Sequence, residues 1–97
     1  KEKKENIFSI TNSFEKRDKK ESWLTLNKLL ENGIAGEAIL GLLFWKIKDM
    51  IIKKKFRTFT ELELKRLSSK FIQTYHEGHR GGRKIEEGIE KIILESL

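Results

Sequence analysis

The chain has 97 residues, with 21 Lys and Arg against 15 Asp and Glu, a net charge of +6, no cysteine and no proline. That length suits one small domain with a modest core, and the missing cysteine excludes disulfides, a thiol nucleophile and cysteine-based zinc sites. The basic balance permits an acidic partner such as nucleic acid, although solubility alone also accounts for such a charge.

Residues 1–6 begin with KEKKE and read as a charged tail. Residues 7–97 read as one helical domain. The chain does not begin with methionine, so it is expected to be a piece of a longer protein, and no signal or transit segment is visible. Ile7, Phe8, Ile10 and Phe14 predict a first helix over roughly residues 7–16, with Asn6 or Ser9 as its cap. Asp18 opens a second helix, and Asp18 with Glu21 stands in capping-box spacing. Trp23, Leu26, Leu29 and Leu30 share its buried face, while Leu24 stands outside it. Asn32-Gly33 ends it, because Gly after a helix takes the left-handed conformation readily. The next helix follows at once, and a connection this short predicts antiparallel neighbours.

The third helix, roughly residues 35–55, carries the longest apolar run, AILGLLFWKIKDMII. Ile39, Leu40, Leu43, Phe44, Ile47, Met50 and Ile51 fall on one broad arc, expected to be the core that the other helices cover. Lys46, Lys48 and Asp49 interrupt the run well before the roughly 20 apolar residues that a membrane span needs. The opposite side carries Glu37, Lys46, Asp49 and Lys53. It also holds a second, narrower apolar line of Ala38, Gly41, Trp45 and Ile52. Either another helix covers Trp45, or this line is a contact surface. Gly41 would let a second backbone come close. Lys53, Lys54, Lys55 and Arg57 end the helix, where cations match its dipole. A phosphate or acidic-protein contact is the alternative.

Phe59 to Leu64 is a strong start signal. Thr60 and Glu63 form a capping box, and Phe59 with Leu64 forms a hydrophobic staple. The fourth helix runs to about Glu77, with Leu64, Leu67, Phe71, Ile72 and Tyr75 as its buried face and Glu61–Lys65 paired outside. The loop HEGHRGGRK, residues 76–84, follows. A fifth helix over residues 85–96 buries Ile85, Ile89, Ile92 and Ile93.

The glycine-rich loop admits four readings. It is a helix–helix turn with positive φ at its glycines, or a phosphate cradle at the start of the fifth helix, with Arg80, Arg83 and Lys84. The spacing is not that of a P-loop. Gly78 to Gly81 fits the four letters of a GXXG clamp, but no strands accompany it. His76 and His79 form a poor metal pair, lacking a clear set of further ligands. No serine has a nucleophile-elbow context, and no carboxylate pair has a pocket around it. No active site, cofactor or metal is expected.

Several stretches together resemble a family. Ile7-Phe8-Ser9-Ile10-Thr11, the charged turn Lys16-Arg17-Asp18-Lys19-Lys20, Trp23 to Leu30, Glu31-Asn32-Gly33, Ile39-Leu40-Gly41-Leu42-Leu43 and Phe59 to Leu64 are similar to the C-terminal domain of the bacterial DNA polymerase III delta subunit. Arg80-Gly81-Gly82 and Gly88-Ile89-Glu90 resemble its closing segment. The chain departs from that family at His76, where an acidic residue is usual, and at Arg80, where Lys is usual. A helix usual before the fourth one is missing, with residues 53–58 in its place. The resemblance implies a cytoplasmic, non-catalytic part of the replicative clamp loader, sitting in its helical collar against the ATPase subunits and delta-prime.

The sequence thus predicts an all-α, compact, collar-like bundle of about five helices that assembles with other proteins. Gly41, Trp45 and Ile52 are the candidate interface. A small basic nucleic-acid-binding module is the alternative, through Lys53, Lys54, Lys55, Arg57, Arg80, Arg83 and Lys84. DNA contact through this domain is expected to be weak, and no membrane partner is expected.

Overall fold

Among the described residues the spacing of the apolar residues produces five helices, α1 Ser9–Glu15, α2 Lys19–Glu31, α3 Gly36–Ile52, α4 Glu61–His79 and α5 Ile85–Ser96. The computed structural model describes residues 6–82 and 84–97, so the charged tail at 1–5 and Arg83 lie outside the described residues. No strand occurs among the described residues, and the fold is an all-α bundle. Its extents are 39 × 35 × 21 Å.

α3 packs on α1, α4 and α5, while α2 closes against α1 and α5, so α2 and α3 are not the packed antiparallel neighbours that their short connection predicts. From α3, Ile39, Leu40, Leu43, Ile47 and Met50 are buried as the broad arc predicts, and Phe44 and Ile51 are partly buried against them. α1 has only seven residues, too few to be stable alone. Burial holds it in place: Phe14 is fully buried and stacks on Phe59, with ring centroids 5.5 Å apart, and meets Phe71 at 6.1 Å.

The helix starts follow the sequence closely. The Asp18 side chain accepts from the Glu21 N–H. Thr60 and Glu63 complete a reciprocal capping box, and Phe59 and Leu64 are both buried. At α1 the expected Asn6 cap closes the turn that leads into the helix: Asn6 Oδ1 accepts from the Phe8 N–H and the Asn6 carbonyl from the Ser9 N–H, while the α-helix proper starts two residues later than expected, at Ser9, with no side-chain cap on Phe8.

The helix ends share one device. After each of α1 to α4, two successive N–H groups reach back to carbonyls of the last turn, as from Lys54 to Ile51 and from Lys55 to Met50. This motif puts one residue at positive φ. The residue is Gly33 after α2 and Gly81 after α4, but Arg17 after α1 and Lys54 after α3. α3 therefore stops at Ile52, not near Lys55 as the sequence suggests. Three more lysines would add no burial to the helix, and the turn lets Phe59 reach the core. α4 continues past Glu77 to His79, because Gly78 packs on Ile85: a Cβ there would lie 2.3 Å from Ile85 Cγ1.

Two further expectations are corrected. Lys46 does not face solvent. It is 9% exposed and pairs with Glu15 at 2.9 Å. Ile72 and Tyr75 do not belong to the buried face of α4, being 45% and 43% exposed.

Candidate protein-interaction surface

The second apolar line of α3 is not covered by another helix. Trp45 is 53% exposed and Ile52 is 76% exposed, and Ala38 and Gly41 are exposed beside them. A Cβ built on Gly41 would meet nothing within 4 Å. Single exposed apolar residues are ordinary. Here Gly41 also lines a groove, which Trp45 and Ile52 do not. Leu40, Gly41 and Phe44 of α3 form one wall, and Phe71, Ile72 and Tyr75 of α4 form the other, around about 230 Å³. Among the described residues Glu37 is the one charged residue lining it.

The groove is closed at one end by a polar link. His79 Nε2 lies 2.6 Å from Glu37 Oε2, and the Tyr75 ring packs on the His79 ring with centroids 4.4 Å apart. This joins the start of α3 to the end of α4. At the other end, Lys48 Nζ lies 5.4 Å from the centre of the Phe44 ring. Lys48 forms no ion pair among the described residues.

The basic candidates fall at opposite ends of the bundle. α4 has 19 residues and so spans about 28 Å. Lys53, Lys54, Lys55 and Arg57 lie before its start, and Arg80 and Lys84 beyond its end, all exposed. Lys53 pairs with Asp49 at 3.2 Å, and Lys55 with Glu15 at 3.7 Å. Lys46 and Lys55 together hold the Glu15 carboxyl below its ordinary value, chiefly through the Lys46 hydrogen bond. Lys54 and Arg57 join Lys16 around an open depression that contains Phe56 and Met50, and these three cations form no ion pair among the described residues.

The glycine-rich loop has local work to do. Gly78 is helical and packed on Ile85, and Gly81 takes φ 78° after α4. The letters of a GXXG clamp are thus a helix end. At the start of α5, Glu86 and Glu87 occupy the first turn, where their charge opposes a bound phosphate. His79 is engaged by Glu37.

Sequence reasoning missed Arg17. Its guanidinium makes a two-pronged pair with Glu63, both bonds 3.1 Å, and donates to the carbonyls of Thr58 at 2.8 Å and Ser96 at 3.3 Å. It also lies 4.6 Å from the centre of the Phe59 ring. One side chain thus ties the α1–α2 turn to the start of α4 and the end of α5. The Arg17 hydrogen bonds hold the Glu63 carboxyl below its ordinary value, with help from the Thr60 N–H. Comparison with protein-family models, with curated proteins and with solved structures finds no match to this chain.

Proposed function

We propose that this chain is an assembly domain, the collar domain of the delta subunit of a bacterial DNA polymerase III clamp loader. In this reading it is non-catalytic. It binds the ATPase subunits and delta-prime by burying apolar side chains between neighbouring domains, and so fixes subunit order. The observation that carries the reading is the uncovered apolar surface from Ile72 and Tyr75 across the groove to Gly41 and Trp45. A contiguous exposed apolar patch marks an interaction site more often than scattered residues do. The family resemblance supplies the identity of the partners. Two of the stretches that carry it meet in space, since Arg17 of the charged turn holds Glu63 of the segment from Phe59 to Leu64.

The test is co-elution on a sizing column with the collar domains of the same organism's clamp-loader ATPase subunit and delta-prime. A mixed complex that forms with the native chain and is lost with Trp45→Glu supports the role and the face. A complex that survives Trp45→Glu keeps the role and discards the face. No complex at micromolar concentrations counts against the role.

The depression around Phe56 favours a second reading, the basic nucleic-acid module. Lys16, Lys54 and Arg57 would meet phosphates, and an aromatic ring would stack a base. Binding of this kind weakens steeply with salt, with a slope that counts the phosphates met. DNA binding that does not change with salt would sink it.

A further inference from the structure

We infer that the partner presents an α-helix to this face and that its backbone crosses α3 at Gly41, an inference that rests on the assembly reading above. Glycine is disfavoured inside a helix. Most glycines here have a reason in the fold itself. Gly33 and Gly81 take positive φ, Gly78 lies against Ile85, and Gly88 lies against Thr74. Gly41 has no such reason. It sits in the second turn of α3 with helical backbone, and a Cβ there would meet open space. What its missing side chain leaves is a dent in an apolar surface, with the α3–α4 groove on one flank and Trp45 on the other.

The groove fixes the kind of occupant. At about 230 Å³ it is smaller than the roughly 300–1,000 Å³ of small-molecule pockets, and it is the size for one or two side chains. Its walls are apolar, and its one charged lining residue, Glu37, repels a phosphate. An amphipathic helix laid in such a groove anchors through side chains at i, i+3 or i+4, and i+7. Its backbone comes close only where the surface residue is small. The charges add direction. Lys48 stands seven residues, about 10 Å, beyond Gly41 along α3, without an ion pair among the described residues. Glu37 at the other end is already engaged by His79. The complementary helix therefore carries apolar anchors over Gly41 and the groove, and an acidic residue at the Lys48 end.

The experiment titrates the collar domains of the clamp-loader ATPase subunit and delta-prime into the full chain by calorimetry, with Gly41→Gln, Lys48→Glu and Trp45→Glu as variants. Glutamine is a good helix former, so Gly41→Gln is expected to melt no lower than the native chain. Its binding is expected to weaken by about tenfold or more, because the added side chain holds the partner backbone away. Lys48→Glu is expected to weaken binding too, and it carries the test if Gly41→Gln folds poorly. Native-like affinity in both variants, with binding lost in Trp45→Glu, overturns the helix crossing and leaves the assembly face standing. A native chain that does not bind overturns the assembly reading, and the crossing with it.

Discussion

Gly88 and Gly41 offer the same substitution in opposite surroundings. Both sit inside helices, so Gly→Ala carries an intrinsic gain of about 1 kcal/mol at either site. At Gly41 nothing lies within 4 Å of the new Cβ, and the gain is kept. At Gly88 the Cβ would lie 2.4 Å from Thr74 Cγ2 and 3.2 Å from Thr74 Oγ1. Thr74 is 9% exposed, and its hydroxyl donates to the Lys70 carbonyl at 2.9 Å. It therefore cannot swing aside without losing that bond, and α4 and α5 must separate. Overpacking of this sort costs about 1–3 kcal/mol. The net expectation is that Gly41→Ala stabilises by up to about 1 kcal/mol and Gly88→Ala ranges from neutral to about 2 kcal/mol destabilised. In a domain this small, each kcal/mol moves Tm by roughly 4–8 °C, so the two melts should separate by at least about 4 °C. Thermal and urea unfolding, each followed by circular dichroism, measure the shift in Tm and the change in stability of both variants. Adding Thr74→Ser to Gly88→Ala removes Cγ2 and keeps the hydroxyl, so it should recover part of the loss. Equal shifts of the same sign in the two alanine variants, or no relief from Thr74→Ser, would refute the packing argument.

Lys54 and Arg17 share a positive φ, 56° and 59°, but only Arg17 gains contacts from it. Lys54→Gly should stabilise by about 0.5–1 kcal/mol in urea unfolding, whereas Arg17→Gly should destabilise. Loss of stability in both would mean that Lys54 has a partner the geometry does not reveal. Ser22 is fully buried, and its hydroxyl finds no acceptor or donor among the described residues. Ser22→Ala should therefore raise stability by up to about 1 kcal/mol, and a clear drop would show that the hydroxyl is bonded. Glu15 and Glu63 are held below the ordinary carboxyl value of 4.5. Their stabilisation is complete above the unfolded value and is lost as pH falls through the lower folded values. The urea midpoint should hold from neutrality down to about pH 5 and fall below that. Lys46→Met and Arg17→Met should each flatten the fall, and an unchanged acid limb in both would exclude these pairs as its cause.

Helix starts were legible because their signals are local. Asp18 with Glu21, and Thr60 with Glu63, act within three residues of each other. The core of α3 was legible because its apolar spacing has the period of a helix. Ends were less legible. Gly33 announces its own left-handed turn, but a lysine at the same position carries no signal, so α3 reads three residues too long. Long-range pairs were not legible at all. Lys46 meets Glu15 across 31 positions, and Arg17 meets Glu63 across 46. A charge in an apolar helix looks solvent-facing until the neighbouring helix is in place. For the candidate surface, the sequence supplied the α3 half, Gly41, Trp45 and Ile52. The α4 half was hidden, because Ile72 and Tyr75 sit beside the buried stripe of Leu64, Leu67 and Phe71 and extend it by one flank. Only the depth to which α3 covers that flank separates core from surface there.

Contiguity is what distinguishes the interaction face from the rest of the exposed apolar residues. Phe8, Phe56, Leu62 and Leu94 are 37–56% exposed, yet they stand just before α1, on the α3–α4 connection, at the start of α4 and on α5, and no two share an element. Trp45, by contrast, follows Gly41 by one helical turn, and Gly41 lines the same groove as Ile72 and Tyr75. The charged residues divide in the opposite way. Two of the four cations before α4 already neutralise acids of this chain, and those beyond α4 stand about 28 Å away. Phosphates along a nucleic acid would need the cations in one track. A partner helix needs apolar side chains in one patch, and that is how this surface is arranged.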